Sequence, residues 1–292
     1  MTLRVGTRGS KLARIQAQIV VDILREAGLA SEVVVVSTKG DRFPSLPIHK
    51  IGKNGIFVGE LERALEEGTV DIAVHSLKDM PSSIPTSLTL APPPAAPLDM
   101  DVFVGEANFK EADLSHMTVA TGSTRRLAQL KHFYPTVKTV PIRGNVETRI
   151  RKVEEGLADG TLLAYAGLYR AGLAHKMTAP LDPTRFIPSP AQGLLGIELV
   201  KDRKDLLKIF QDASDPYAAF RMEVERAYQK ALNAGCESPV GIHIERRNGS
   251  IILHGCYAET VEDPLVYASV KTTEKKAALD ALNLARKVQY HE

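Results

Sequence analysis

The chain has 292 residues and a mass of 31.8 kDa, and its 37 Lys and Arg against 35 Asp and Glu leave a formal net charge of +2. With 44% hydrophobic and 25% charged residues it has the make-up of a globular protein of two or three domains, which excludes disorder, collagen-like repeats and coiled coil. Near-neutral charge, no Trp and only two cysteines (Cys236 and Cys256) argue against a dedicated nucleic-acid surface, a base-stacking platform and a disulfide scaffold.

Met1–Gly6 reads as strand sequence without an apolar targeting core. The longest apolar runs, at Glu32–Val36 and Leu194–Val200, are too short to span a bilayer, so the expected compartment is the cytosol. Leu3–Val5 is a strand. Ser10 is a plausible N-cap for a helix on which Leu12, Ile15, Ile19, Ile23 and Leu24 recur up to Gly28. Val33–Ser37 is a buried-type strand, Phe57–Glu67 a helix closed by Gly68, and Val70–Val74 another buried strand. Strands alternating with helices imply crossovers and a largely parallel sheet. The run Ala91–Pro97 breaks this pattern, because its prolines suit neither a helix interior nor a central strand. A second α/β stretch follows: strand Thr118–Ala120, helix Ser123–Phe133, strand Val137–Pro141, helix Asn145–Glu155 and strand Thr161–Ala166. Ile187–Pro190 is a second Pro-rich break. Two breaks around one α/β unit suggest an inserted domain, although two linkers between domains in series give the same pattern. The tail reads as helix Pro216–Asn233, period-2 strands Val240–Glu245, Ser250–Tyr257 and Leu265–Lys271, and a final helix Thr273–Val288, a small α+β unit. No internal repeat is visible.

One arrangement recurs: a strand, a Gly/hydroxyl turn bearing Arg, then a helix. It occurs at Gly6–Ser10, Thr121–Arg126 and Arg143–Arg149. A helix N-terminus presents unpaired N–H groups and partial positive charge, glycine admits close approach, and Arg grips a carboxylate with two parallel bonds. A Ser or Asn at one such turn is most often only an N-cap. Three turns in a near-neutral chain favour a ligand with several negative groups. None has P-loop spacing and no Gly-x-Gly-x-x-Gly follows a strand, so nucleotides are not favoured. Val74-His-Ser-Leu-Lys-Asp-Met-Pro81 lies just beyond a predicted parallel strand, where ligands of open α/β sheets bind. Adjacent Lys78 and Asp79 would point to different sides and also suit a solvated loop. His75 alone reads better as a buried, satisfied histidine, and no metal-ligand spacing surrounds it. Cys236, in the loop Asn233–Pro239, is placed to be a nucleophile or an attachment point, or else a small filler; Cys256, inside a strand, reads as core.

Taken together, His75-Ser-Leu-Lys-Asp79, Arg143-Gly-Asn145, Ala166-Gly-Leu168 with Arg170, Gln192-Gly193 with Gly196-Ile-Glu198, and Gly235-Cys236 before Pro239-Val-Gly241 resemble the porphobilinogen deaminase (hydroxymethylbilane synthase) family in order and content. The resemblance implies an α/β fold of two periplasmic-binding-protein-like lobes with mixed, largely parallel sheets plus a small C-terminal α+β domain. Its domains would be 1–92 with 191–213, 98–187, and 214–292. It implies a transferase of tetrapyrrole (heme) biosynthesis. Four porphobilinogen molecules are joined head to tail with loss of ammonia on a dipyrromethane primer, and the product hydroxymethylbilane is then released by water. The primer would be thioether-linked to Cys236. Each pyrrole carries an acetate and a propionate, which suits several Arg-bearing turns.

By position, Asp79 matches the catalytic carboxylate. Arg8, Ser10, Arg125, Arg126, Arg143, Arg149 and Arg170 match side-chain grips on cofactor and substrate carboxylates. Ser76, Lys78, Thr121, Ser123, Gly144, Asn145, Ala164, Gly167 and Gln192 match cleft-lining positions. Phe57 matches an aromatic near the pyrrole rings and Lys50 a basic residue before it. The resemblance further implies a monomer with no nucleic-acid, membrane or metal partner that passes its product to the next tetrapyrrole enzyme.

The chain departs from the family pattern at Gly52-Lys-Asn-Gly55, where a lysine is displaced, and at Thr121-Gly-Ser123, which lacks one hydroxyl. Pro97-Leu-Asp-Met-Asp101 replaces an acidic segment with an Arg, so an ion pair between domains is expected to be lost there, and Ala234 stands for a glycine. Two other classes fit part of the pattern. A non-catalytic bilobal anion-binding module would leave Asp79 and Cys236 idle. A DNA-binding regulator of this shape would need a helix-turn-helix ahead of the first strand.

Overall fold

A computed structural model describes residues 2–37, 58–106, 109–234 and 238–290. The expectations for Lys50, the Gly52–Gly55 segment, Phe57, Gly235 and Cys236 lie outside the described residues. The chain divides into two compact units, one of Met1–Ala96 with Gly193–Met222 and the other of Pro97–Gln192 with Glu223–Glu292.

The first unit is built on strands β1 (Leu3–Thr7), β2 (Ser31–Val35), β3 (Ile72–Ser76), β4 (Leu88–Ala91) and β10 (Leu195–Val200), in the spatial order β2-β1-β3-β10-β4. β1 runs parallel to β2 and β3, while β10 is antiparallel to β3 and β4. Helix α1 (Lys11–Glu26) covers one face. Its buried stripe is Ala13, Ala17, Val20 and Leu24, with Gln16 among them. The sequence expectation centred the stripe on Ile15, Ile19 and Ile23; these flank it and are only partly buried, because the small Ala13 and Ala17 let the helix approach the sheet. Ser10 caps α1 by accepting from the Ala13 N–H at 3.2 Å, and Gly28 closes it with φ +77°, a left-handed conformation that suits glycine. Helix α2 (Gly59–Glu66) packs Leu61 and Leu65 on the other face against Val70, Ala73 and Leu88.

The second unit repeats the plan. Strands β5 (Asp101–Gly105), β6 (Thr118–Ala120), β7 (Lys138–Val140), β8 (Gly160–Ala164) and β9 (Ala179–Pro180) lie in the order β7-β6-β8-β5-β9. β6 is parallel to β7 and β8, and β5 is antiparallel to β8 and β9. In each sheet three parallel strands therefore meet one antiparallel strand in the same position. The sequence shows no repeat because the two sheets share topology and not residues. Phe103, Val119, Leu130 and Leu162 pack on one face under helix α3 (Thr124–Phe133). Ile150 of helix α4 (Val146–Glu154) and Leu168 of the short helix α5 (Tyr165–Arg170) pack on the other.

After helix α6 (Lys204–Asp212) and helix α7 (Pro216–Ala231), strands β11 (Val240–Arg247), β12 (Ser250–Tyr257) and β13 (Val266–Thr272) form a separate antiparallel sheet. Helix α8 (Ala277–Tyr290) buries Ala277, Ala281, Leu284, Ala285 and Val288. The fold is thus two mixed α/β sheets with a small α+β unit. As the sequence indicated, Cys256 is fully buried, packed with Ala128 and Ile187, and burial pushes its thiol up to about 12.

Candidate functional site

In the first unit the polar residues gather where parallel strands β1 and β3 end. Thr7, fully buried, donates its hydroxyl to the carbonyls of Ala13 and Val74 at 3.2 and 3.3 Å, which ties the turn after β1 to β3. No acidic side chain occupies the first turn of α1, so its exposed N–H groups keep their pull on an anion. β3 runs directly into a single 3-10 turn, Leu77–Asp79. Leu77 and Met80 are fully buried on either side of it and anchor it, while Asp79 between them is exposed. The Leu77 N–H also donates to the Leu194 carbonyl at 3.0 Å.

A cavity of about 110 Å³ opens here, and Arg8, Ser10, Gln16, His75, Ser76 and Asp79 line it. The structure thus brings together four of the expected residues, Arg8, Ser10, Ser76 and Asp79; Lys78 is half-buried beside them but outside the described lining. Gln16 was not anticipated. It is buried and exchanges hydrogen bonds with the Ser76 hydroxyl at 3.0 and 3.2 Å, holding that hydroxyl at the cavity. A polar residue one turn after Leu12, on the apolar side of α1, was the available signal. His75 is buried, with Nε2 at 3.1 Å from Glu198 Oε2, which agrees with its reading as a satisfied histidine.

In the second unit the matching turns follow parallel strands β6, β7 and β8. Ser123 accepts from the Arg126 N–H at 3.4 Å and Asn145 from the Thr148 N–H at 2.8 Å, so both are N-caps as well as candidate ligand groups. Thr121 accepts from the Ser123 N–H at 3.2 Å. A Cβ at Gly122 would meet the Ile142 carbonyl at 2.7 Å, so the turns after β6 and β7 abut, and the missing hydroxyl at 122 has a steric cause. Gly144 has φ +121°, and a Cβ there would meet Thr148 Cγ2 at 2.7 Å. Arg149 Nε donates to the Gly144 carbonyl at 2.8 Å, and Lys152 Nζ to the Arg143 carbonyl at 3.2 Å. Ala164 is the N-cap residue of α5, Gly167 lies within that helix, and Arg170 ends it; burial pushes the Arg170 guanidinium down to about 10.

Arg125, Arg126 and Gln192 have a different setting from the one the resemblance implies. All three are buried around Asp101. Arg125 donates to Asp101 Oδ2 at 2.6 Å and to the Ile187 carbonyl at 2.6 Å; Arg126 donates to Asp101 Oδ1 at 2.8 Å and to the Leu162 carbonyl at 2.9 Å. Gln192 donates to Asp101 Oδ1 at 2.9 Å and to the Asp99 carbonyl at 2.6 Å. Burial alone would raise the Asp101 carboxyl, but the two guanidiniums outweigh it and hold it well below the usual carboxylate range. Within the second unit the Pro97–Asp101 segment carries this cluster and a further pair, Asp99 with His243 Nδ1 at 2.9 Å.

Dipyrromethane, the cofactor that the resemblance implies, is a polyanion when it bears acetate and propionate groups. The donor set fits it. Helix α3 has no acidic residue in its first turn, and Arg126 Nε is a buried donor with no partner. Among the described residues no group of His, Cys, Asp and Glu could hold a metal, and no helix is long and apolar enough to cross a membrane.

The class these features define is an α/β protein of two like mixed sheets with anion-receiving turns at the carboxyl ends of their parallel strands. The family model for "Porphobilinogen deaminase, dipyromethane cofactor binding domain" matches residues 3–208. Similar relatives include the porphobilinogen deaminases of Syntrophobacter fumaroxidans (38% identical, 91% of this chain, 87% of that one) and Roseiflexus castenholzii (38%, 87% and 85%). A probable one of Hyperthermus butylicus is 40% identical over 88% of this chain and 86% of that one. Among solved structures, a Salmonella typhimurium periplasmic binding protein of high arginine specificity is similar at 16% identity, covering 76% of this chain and 97% of that one, with a TM-score of 0.43. The chain belongs to the porphobilinogen deaminase family.

Proposed function

We propose that this chain joins four porphobilinogen molecules head to tail on a dipyrromethane primer attached through a thioether to Cys236, with loss of ammonia at each step and final hydrolysis to hydroxymethylbilane. The observation that carries the catalytic assignment is the placement of Asp79. It is an exposed carboxylate on a turn anchored by Leu77 and Met80, at a cavity that Arg8, Ser10 and Ser76 share. Loss of ammonia from porphobilinogen leaves an electron-poor methylene-pyrrolenine cation. A fixed carboxylate stabilises positive charge as it develops and accepts the pyrrole proton afterwards. Arg8 and the α1 N-terminus receive the substrate's carboxylates in the first unit. In the second, Thr121, Ser123, Arg143, Gly144, Asn145, Arg149 and Arg170, with Ala164 and Gly167 beside them, hold primer carboxylates. Arg125, Arg126 and Gln192 hold the scaffold beneath them through Asp101. When bound, dipyrromethane supplies the pyrrole carbon to which the first substrate is joined.

Lys78, Lys50 and Phe57 belong to the same proposal on the family resemblance. So do a monomeric state, a cytosolic location, transfer of product to the next tetrapyrrole enzyme, and the division 1–92 with 191–213, 98–187 and 214–292. The separate sheet β11-β12-β13 with its own helix supports a distinct C-terminal piece. Purified protein given porphobilinogen should release ammonia and form hydroxymethylbilane, and Asp79→Asn should lose nearly all turnover while melting like the parent. Near-parental turnover in that variant overturns the role of Asp79.

A further inference from the structure

The second Pro-rich break runs into a residue with an unusual backbone. Among the described residues, three that are not glycine are left-handed: Asn233 (φ +48°), Asn248 (φ +49°) and Ala191 (φ +59°). Asparagine enters that region readily, and Asn233 lies just beyond helix α7 while Asn248 sits in the turn between β11 and β12. Ala191 has no side chain that favours it, so the conformation is disfavoured roughly tenfold and is imposed by its surroundings. On one side Arg125 and Gln129 donate to the Ile187 carbonyl at 2.6 and 3.0 Å, and the Ile187 N–H donates to Gln129 Oε1 at 2.7 Å. The Ile242 N–H of β11 donates to the Pro188 carbonyl at 3.0 Å. A Cβ at Gly241 would meet the Ile187 carbonyl oxygen at 2.9 Å, so the bare glycine lets β11 close on this segment. On the other side Gln192 is fixed to the Asp99 carbonyl and to Asp101. Between these anchors the Ala191 N–H donates to Glu225 Oε2 of α7 at 2.6 Å, and Glu225 is fully buried. A carboxylate accepts a backbone N–H more strongly than a neutral oxygen does. All of these partners belong to the second unit.

The chain enters the first unit at Gly193. The Leu194 carbonyl then accepts from the Leu77 N–H at 3.0 Å, and Leu195 pairs with Ser76 as β10 begins. Leu77 opens the turn that carries Asp79. Only Gln192 and Gly193 therefore stand between the strained Ala191 and the backbone that holds the Asp79 turn. We propose that Glu225 is a positioning residue: by holding the Ala191 N–H it keeps Ala191 left-handed, and so fixes the direction in which the chain delivers Leu194 to the Leu77–Asp79 turn. The proposal deepens the function given above and rests on it for the role of Asp79; the tie between Glu225 and Ala191 is independent of that reading.

The test removes the carboxylate with and without the strain. Glycine enters the left-handed region freely, so the Ala191→Gly backbone needs no acceptor to hold it there. Glu225→Ala should lower kcat toward porphobilinogen about tenfold, with KM changed less than about twofold. In the Ala191→Gly background the same change should lower kcat less than about twofold. Glu225→Gln keeps a weaker acceptor; it should lose about threefold with Ala191 in place and nothing measurable in the Ala191→Gly background, and it carries the comparison if Glu225→Ala does not fold. The melting temperature also reports the space that a shortened side chain leaves, so Glu225→Ala should melt below its reference in both backgrounds. Independently of turnover, amide hydrogen exchange over residues 188–194 should quicken in either Glu225 variant, about tenfold in Glu225→Ala. Unchanged kcat, or equal kcat losses in the two backgrounds, overturns the positioning role. Unchanged amide exchange overturns the tie between Glu225 and Ala191. Failure of the parent to turn over porphobilinogen falls instead on the proposed function, and the exchange measurement still decides the tie.

Discussion

Replacing Asp101 by Asn tests whether the arginines of α3 serve the fold. Asp101 is fully buried and accepts from Arg125 at 2.6 Å, Arg126 at 2.8 Å and Gln192 at 2.9 Å. The substitution removes the one negative charge that these contacts place between two buried guanidiniums, and turns an Asn NH2 toward a donor. Breaking a buried pair in this way costs ~3–5 kcal/mol, because the remaining charges lose their compensation. At ~2–4 °C per kcal/mol the melting temperature of the second unit should fall by about 6–20 °C. The pH dependence gives a second check. A carboxylate held below its unfolded value of 3.8 contributes its full stability above that value and loses it as pH falls through the folded one. The gap between parent and variant should therefore be constant from about pH 5 to about pH 8 and narrow in stronger acid. Thermal melts followed by circular dichroism over that range make the measurement. A variant that melts within about 2 °C of the parent throughout would refute the structural role given to Arg125 and Arg126.

Two further outcomes concern the second unit. Arg143→Lys keeps the charge but loses the planar two-pronged donor, so turnover and primer loading should drop at least about tenfold; steady-state kinetics and intact mass check this, and parental values would argue against bidentate contact. Gly144→Ala forces a side chain into φ +121° with its Cβ 2.7 Å from Thr148 Cγ2. It should cost ~1–3 kcal/mol and shift the urea midpoint accordingly, and an unchanged midpoint would mean that the turn relaxes freely.

The legibility of the fold varied from element to element for physical reasons. Helices α1, α3 and α4 announce themselves by their caps, Ser10, Ser123 and Asn145, because capping is local chemistry. Strands β4, β5 and β10 do not. β5 follows a proline run and begins with the buried Asp101, and β10 carries Gly196 and Glu198 inside an apolar run, so neither shows a clean period. Their places in the sheets are set by pairing with β3 and β8, which are distant in sequence. The same distinction governs the site. Arg8, Ser10, Ser76 and Asp79 are recognisable because they sit on turns after strands. The inward direction of Arg125 and Arg126 is settled only by Asp101, which arrives from another strand. Gln16 looks like an ordinary polar helix residue until Ser76 is placed opposite it.

The central claim is that the chain is a deaminase that builds on a primer at Cys236. Its most direct test is the intact mass of the purified protein from a host that makes porphobilinogen. The account predicts a mass above that of the chain by one linked pyrrole pair, with the excess absent in Cys236→Ser and retained in a substitution of the buried Cys256. An unmodified parent protein, inactive toward porphobilinogen, would contradict it.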